Sequence, residues 1–343
     1  MLKSTLNDTI LTFNKVTIIN KFIYNIYMKN FSFMAFGKAQ ESKEAPEIKR
    51  YTGVGSVFVM GVNPNKTELE KMFERKLDKD PEYITEKDDV ISARIDFIIK
   101  TDAAAKCNNN IELTTKISLF IRKEYRFNRD KTKVQVIDKY GRTAWVTKEQ
   151  AKNHEIPVYS NGKPANLDKD YRPAYTGEED VTNFLKTFLG IPSVEKWAKN
   201  EETGKREVVG LVDNPEECEC RLEHIEDYFK GKFDELKDAI NLMPNNKIKV
   251  LFGVRTTDDN KQYQDVYTKM FLSNATSSYD KISKDVQDRK DNGSYPNTEF
   301  VIADLQEYEI KATNFNNSNN GGNDGEMPFD AEAPASTDWF SGN

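Results

Sequence analysis

The chain has 343 residues, of which 37% are hydrophobic and 31% are charged, and its formal net charge is −6. A chain of this length can bury a sizeable core, and 11% aromatic residues argue against wholesale disorder. The acidic net charge excludes a protein coated in basic residues, although it is compatible with a local basic groove. Three cysteines, Cys107, Cys218 and Cys220, provide no disulfide framework and indicate a reducing cytoplasm.

The first 33 residues are rich in Ile, Asn, Lys and Phe, but polar residues interrupt every apolar run before it reaches the ~20 residues that span a bilayer. No apolar segment with a small-residue cleavage site indicates secretion, and no membrane partner is predicted. Because MAFGKAQESK reads as an ordinary N-terminus, we interpret Met34 as the true start and residues 1–33 as an upstream extension outside the fold. An amphipathic surface anchor is the alternative. Residues 34–50 are predicted to be a linker.

The segment that follows the linker is dominated by strand patterns. Strands are predicted at 51–64, 89–100, 110–122, 132–138 and 142–147, the last two forming a hairpin with Gly141 at its turn. A helix is predicted over 65–77, with Thr67 and Glu70 as its capping box.

A helical middle comes after the Pro-, Gly- and Asn-rich loop at 154–177. Residues 178–190 show one apolar helical face and end at Gly190. Helical spacing returns over 214–243 and is broken near Gly231. Strands are then predicted at 247–256, 262–272 and 298–313. Because the strands come in hairpins, we expect an α+β fold in residues 51–313: an OB-like antiparallel β-barrel core with a helical insertion at about 178–243.

The most informative stretch is residues 116–148, which carries ten Lys or Arg against three acids and interleaves them with aromatic residues. Single-stranded nucleic acid is bound in this way, because cations neutralise phosphates while aromatic faces stack on unpaired bases. The candidate nucleic-acid-binding residues are Arg122, Lys123, Tyr125, Arg126, Phe127, Arg129, Lys131, Lys133, Lys139, Tyr140, Arg142 and Trp145, with Arg255 and Lys261 as a weaker extension. The alternative interpretation is a solvated basic hairpin whose aromatic side chains belong to the core.

Two patterns bear on metal binding and catalysis. Cys218, Cys220 and His224 invite a zinc interpretation, but zinc ligand pairs are usually spaced Cys-x2–4-Cys, and a structural helix fits better. Clusters of Asp and Glu suggest a two-metal nuclease, yet no recognised catalytic motif is present. We therefore predict no metal, no cofactor and no enzymatic activity.

The C-terminal residues 314–343 are predicted to form a disordered acidic tail, in which an Asn/Gly-rich tether leads to residues 326–343. Residues 312–343 contain five acids and no Lys or Arg. The candidate partner-binding residues are Phe329, Asp330, Asp338, Trp339 and Phe340. Such a tail docks aromatic side chains into a partner, competes with nucleic acid for the chain's own basic groove, or only improves solubility.

Several long strings resemble the single-stranded DNA-binding proteins of crAss-like bacteriophages. They are MAFGK at 34–38, KRYTGVGSVFVMGVNP at 49–64, RFNRDKTKVQVIDKYGRTAWVT at 126–147, YSNGKPANLDKDYRPAYTGEE at 159–179, NNKIKVLFGVRTTDDNKQYQDVYTKMFL at 245–272, YPNTEF at 295–300 and the MPFDAEAPAS-type end. The resemblance spans roughly 34–315 and the tail. It implies an OB-like core, single-stranded DNA binding in phage replication in the host cytoplasm, no catalysis, and a tail that recruits replication or recombination proteins.

The tail departs from its bacterial counterparts, which end on an apolar residue beside the terminal carboxylate. Here Ser341, Gly342 and Asn343 follow Trp339 and Phe340, which puts a shared docking pocket in doubt. Two other functions stay open on the sequence. The first is a phage structural or scaffolding protein whose tail is an assembly handle, and the second is a metal-dependent nuclease.

Overall fold

The structure is a computed structural model that describes residues 49–158 and 164–309. The predicted upstream extension, all but the last two residues of the predicted linker, and the predicted tail lie outside this part of the chain. The described residues have an α+β fold that is mostly antiparallel sheet, which confirms the coarse fold class.

The described residues form fifteen strands and six α-helices. The strands are β1 (Tyr51–Val62), β2 (Ile84–Lys87), β3 (Val90–Thr101), β4 (Thr114–Tyr125), β5 (Lys133–Ile137), β6 (Thr143–Thr147), β7 (Arg172–Pro173), β8 (Tyr175–Thr176), β9 (Glu195–Lys199), β10 (Arg206–Leu211), β11 (Lys247–Thr256), β12 (Gln262–Val266), β13 (Leu272–Ser273), β14 (Thr298–Phe300) and β15 (Gln306–Glu307). The helices are α1 (Lys66–Phe73), α2 (Lys148–Asn153), α3 (Glu178–Leu189), α4 (Ile225–Tyr228), α5 (Asp234–Asn241) and α6 (Asp280–Asp291).

The main sheet runs in the order β12–β11–β1–β3–β4–β8, with β2, β13, β14 and β15 paired to strands on this path. A second sheet, the small sheet, has the order β6–β5–β7. Strands β9 and β10 form a separate hairpin. The predicted antiparallel pairing is confirmed, and the described strands form no closed barrel. The path stops at β8 because this strand is only two residues long before Gly177 turns the chain into α3.

One face of the main sheet packs against α3, α4 and α5. Alternate residues of β4 are buried, as the period of two requires, and Phe97 of β3 stacks on Phe184 of α3 with ring centroids 3.9 Å apart. The apolar face predicted for α3 is confirmed by the burial of Val181, Phe184, Leu185 and Phe188, and Gly190 caps the helix with left-handed backbone. The longest helix of the predicted insertion is therefore fixed by the core of the sheet.

The buried carboxylate of Glu178 joins the two sheets. Glu178 is the first residue of α3, and its oxygens accept hydrogen bonds from both terminal nitrogens of Arg172 at 2.9 and 2.5 Å. They also accept one from the backbone N–H of Tyr175 at 3.0 Å. Arg172 lies in β7 of the small sheet and Tyr175 lies in β8 of the main sheet. One side chain thus connects the small sheet, the main sheet and α3.

The start of α1 differs from the prediction. Asn65 is the cap: its side chain accepts from the backbone N–H of Glu68 at 3.0 Å, and the Glu68 carboxylate accepts from the N–H of Asn65 at 2.8 Å. The capping box predicted at Thr67 and Glu70 is wrong by two residues, because the helix begins almost directly after Pro64. It ends at Phe73, since Glu74 adopts left-handed backbone.

The predicted helical insertion contains more than helices. After α3 the chain forms the β9–β10 hairpin, a 3-10 turn over Pro215–Cys218, and the short α4 and α5. The break predicted near Gly231 is confirmed, because α4 ends before this residue and α5 begins after it. The start of the predicted stretch forms the 3-10 turn instead of an α-helix. In addition, α6 lies in a segment without a predicted element, because only Ile282 and Val286 of this polar helix are buried. They pack with Val54 and Leu251 of the main sheet.

We predict that Gly177→Ala destabilises the fold by about 3 kcal/mol or more, because two costs add. Gly177 has φ = +88°, and a Cβ there overlaps the carbonyl oxygen of Phe120. Gly190→Ala is the matched control: its φ is +67° with nothing within 4 Å, so only the left-handed backbone cost of about 1–2 kcal/mol remains. Urea unfolding of both variants measures the difference, and equal losses would contradict the close approach to β4.

Candidate nucleic-acid interface

The small sheet divides the basic-aromatic stretch between two faces. In the β5–β6 register, Val134 lies opposite Val146 and Gln135 lies opposite Trp145. Because side chains alternate along a strand, the valines point together into a small core while Trp145 points to the other face. Trp145 is 37% exposed there, so its ring is accessible to a ligand.

Arg126 lies beside Trp145 on this second face. Its guanidinium carbon is 5.8 Å from the centroid of the Trp145 ring, within the range of a cation–π contact. The same guanidinium donates to Glu179 Oε2 at 3.0 Å and to Gln135 Oε1 at 3.2 Å. Arg126 is thus held in place by an acid of α3, and part of its charge is offset before any phosphate arrives.

Phe127 lies on the opposite face, because it forms an isolated bridge with Val134. Its ring is 37% exposed, and the ammonium of Lys148 lies 5.5 Å from the ring centroid. Trp145 and Phe127 are therefore two separate exposed rings, each with its own cation, on the two faces of one sheet.

A third aromatic group lies at the end of β4. The ring of Tyr125 is 46% exposed and stacks on Tyr175 of β8, with centroids 5.1 Å apart and an interplanar angle of 24°. Tyr175 meets Phe229 edge to face at 5.3 Å. Lys123 lies 5.6 Å from the ring centroid of Phe229. Tyr175 and Phe229 were not among the predicted site residues, and a single tyrosine in RPAYTG is a weak sequence signal for Tyr175.

Glu226 links this aromatic group to a cation. It accepts a hydrogen bond from the Tyr175 hydroxyl and pairs with the Lys123 ammonium at 3.2 Å. Burial raises the pKa of Tyr175, and the hydrogen bond to Glu226 adds to the rise. That bond, followed by Lys123, lowers the pKa of the Glu226 carboxyl. At neutral pH this end of β4 therefore presents a neutral phenol and a paired lysine.

The connection between β4 and β5 carries the exposed cations Arg129, Lys131 and Lys133. Within residues 49–158 and 164–309, none of their side chains forms an ion pair. Asn128 shapes the turn, since its side-chain oxygen accepts from the backbone N–H of Lys133 at 2.7 Å and its amide donates to Thr132. A fixed turn thus holds three cations in solvent, which is the arrangement that phosphates require.

Three of the predicted binding residues lie in the β5–β6 turn, where their side chains contact other parts of the protein. Tyr140 is only 3% exposed and packs with Val194 and Cys218, so it is not available to stack on a base. Arg142 is largely buried against Asp138, with N···O distances of 2.7 and 2.8 Å. Lys139 pairs with Glu219 at 2.9 Å, and this hydrogen bond raises the pKa of the lysine.

These side chains are drawn into the structure because the β5–β6 turn packs against α3. The ammonium of Lys186 in α3 donates to the carbonyl oxygen of Tyr140 at 3.0 Å. Tyr140 and the cations beside it therefore belong to the interior, whereas Phe127 and its cation Lys148 lie at the surface. At the end of β4, Arg122 likewise pairs with Glu124 at 3.3 Å.

The second predicted patch is separate from the first. Arg255 lies opposite Tyr263 in the β11–β12 pair, with its guanidinium carbon 5.7 Å from that ring. Lys261 pairs with Asp259 at 3.2 Å. These two residues therefore lie on or beside the β11–β12 pair, whereas the cations of the first patch lie around β5.

The cysteines lie apart from one another. Cys218 is buried beside Tyr140, and the Cys220 thiol faces the carbonyl oxygen of Thr182 at 3.9 Å, with burial raising its pKa to about 11. His224 flanks the start of α4. In the part of the chain that the structure describes, no three His, Cys, Asp or Glu side chains converge as a metal site.

The predicted tail residues Phe329, Asp330, Asp338, Trp339 and Phe340 lie outside the described residues. Among the described helices, none combines the length and apolarity needed to cross a membrane. No protein-family model, curated protein or solved structure matches the chain.

We predict that Arg142→Ala lowers the free energy of unfolding by about 3–5 kcal/mol, because it leaves the buried Asp138 carboxylate unpaired. Arg129→Ala removes the same charge from an exposed side chain and should change stability by less than about 0.5 kcal/mol. Thermal and urea unfolding of the two variants measure this contrast. Equal stability of the two variants would contradict a structural role for the Arg142–Asp138 pair.

Proposed function

We propose that this chain is a single-stranded DNA-binding protein without catalytic activity. The observation that carries the proposal is the surface around β5 and β6, where exposed rings each have a cation and the adjoining turn presents three exposed cations without ion pairs among the described residues. Single-stranded nucleic acid supplies both complements, since its phosphates are anionic and every unpaired base has a π-face.

In this mechanism the turn before β5 binds the backbone and the rings bind the bases. Arg129, Lys131 and Lys133 neutralise phosphates, so affinity falls as salt concentration rises. Tyr125 and Trp145 offer stacking faces, and each stacked base contributes about 1–3 kcal/mol. Since stacking does not read base identity, binding tolerates any sequence. Phe127 provides a further stacking face on the opposite side of the small sheet.

The OB-like architecture is part of the same proposal. OB-folds are small, partly open antiparallel barrels that bind oligonucleotides on strands and connecting loops. Five neighbouring strands, β12–β11–β1–β3–β4, form the centre of the main sheet, and the core beneath them includes α3. The proposed binding surface then lies on a connection at the edge of this sheet, as it does in that fold class.

The resemblance to single-stranded DNA-binding proteins of crAss-like phages supports a role in phage replication or recombination. On this basis residues 326–343 recruit replication proteins or compete with DNA for the basic surface. The structural or scaffolding protein is the other function class, and indifference to single strands combined with specific co-assembly would favour it.

Lys131→Ala combined with Lys133→Ala should weaken binding to fluorescent oligo-dT and flatten its salt dependence by about 1.4 in the slope of log K against log salt, because two phosphate contacts are lost. Lys281→Ala with Lys284→Ala removes the same charge from exposed positions of α6 and should have little effect. Titrations of residues 34–343 at two or more salt concentrations, with duplex and RNA competitors, measure this. Equal effects of the two pairs would point to net charge alone and contradict the proposed surface.

Truncation after Thr313 should leave the affinity for oligo-dT unchanged or raise it, because the removed residues carry five acids and no compensating base. The same titration, performed on the full chain and on the truncated chain, measures this change. A clear loss of affinity would contradict competition between the tail and DNA.

A further inference from the structure

The hairpin of β9 and β10 is unusually exposed. In the described residues the two strands pair only with each other, and Trp197, Val209 and Leu211 are 46%, 61% and 43% exposed. An isolated hairpin is marginally stable in water, so this one depends on its base. There Val194 is buried with Tyr140, and the backbone N–H of Val212 donates to the carbonyl oxygen of Val194 at 2.9 Å.

One face of the hairpin places an aromatic ring beside two cations. In the register of the two strands, Trp197 lies opposite Val208 and Lys199 lies opposite Arg206. Because Trp197 and Lys199 are two residues apart, all four side chains are on the same face. Neither Lys199 nor Arg206 forms an ion pair within the described ranges.

Three of the four acids of the hairpin lie away from this group. Glu207 lies opposite Ala198, which places it on the other face. Glu201 and Glu202 lie in the turn beyond the strands. The fourth acid, Glu195, is two residues from Trp197 and shares its face, where it accepts a hydrogen bond from Asn166 at 3.2 Å near the base. The Trp197 face therefore carries two cations against one acid.

The base of the hairpin adjoins the proposed binding surface. Tyr140, which packs on Val194, is five residues from Trp145, and Trp197 is three residues from Val194. At no more than about 3.6 Å per residue, the two tryptophans are within roughly 35 Å of each other, including the packing contact. A single strand that occupies an OB-type site of about 4–16 nucleotides is long enough to reach both.

We propose that the Trp197 face of the β9–β10 hairpin is a second binding surface for the same single strand, a proposal that rests on the proposed function. Trp197 stacks on a base, and Lys199 and Arg206 neutralise phosphates on the turn side of the ring. The occupant is a polyanion with planar faces, because this face offers a flat ring next to a cross-strand pair of positive charges. A second copy of the chain would be favoured by an uncharged apolar face, which the hairpin does not have.

The test is Trp197→Ala in the full chain, with a labelled dT40 as probe. The variant should bind between about 5-fold and 150-fold more weakly, the loss expected for one stacked base. Trp197→Phe retains a ring and should restore most of the affinity. Val209→Ala truncates another exposed apolar side chain of the same hairpin and should bind like the wild type. Because Trp197 belongs to no core cluster, thermal unfolding should be unchanged for all three.

The outcomes separate the two proposals. Wild-type binding with a selective loss in Trp197→Ala supports the hairpin as a binding surface. Wild-type binding with no loss in Trp197→Ala overturns the hairpin proposal and leaves the function standing. If Trp197→Ala instead alters the sedimentation of the free protein at unchanged affinity, the face binds a second copy. If the wild type binds no single strand at low salt, the proposed function fails, and the hairpin proposal fails with it.

Discussion

The arrangement of the whole candidate site depends on one buried carboxylate, that of Glu178. A fully buried ion costs several kcal/mol unless it is paired and hydrogen-bonded, and Arg172 together with the N–H of Tyr175 meets that demand. These partners come from two different sheets, so the small sheet is held beside β4 wherever this group forms. Gly177 makes the approach possible, because any larger residue would collide with Phe120.

The neighbouring Glu179 extends this constraint to the surface. It binds Arg126 and Gln135 and also accepts from Thr143, so it fixes the face on which Trp145 is exposed. The cations therefore fall into two groups. Those nearest α3 are paired with acids and shape the site, whereas those on the turn before β5 remain in solvent. A chain of net charge −6 can therefore present a local cationic surface.

Sequence patterns predicted the helices and strands better than they predicted which side chains are buried. The antiparallel strands, the β5–β6 hairpin and α3 with its Gly190 cap follow from alternation and apolar spacing, which are local properties. The break of the helical stretch near Gly231 was also predicted, whereas the capping residue of α1 was predicted wrongly by two residues. The β9–β10 hairpin was absent from the prediction because its exposed strands lack an apolar alternation.

The sequence by itself determined that the fold is rich in antiparallel strands and that cations and aromatic residues are concentrated in residues 116–148, since both are properties of order and composition. Only the tertiary structure decided which of those side chains face solvent. In the sequence, Tyr140 with Arg142 is an aromatic residue beside a basic one, as is Phe127 with Arg129. In the structure, Tyr140 packs on Val194 and Arg142 is largely buried against Asp138. Burial depends on which distant element packs over a residue, and Val194 and Cys218 pack on Tyr140 in the β5–β6 turn.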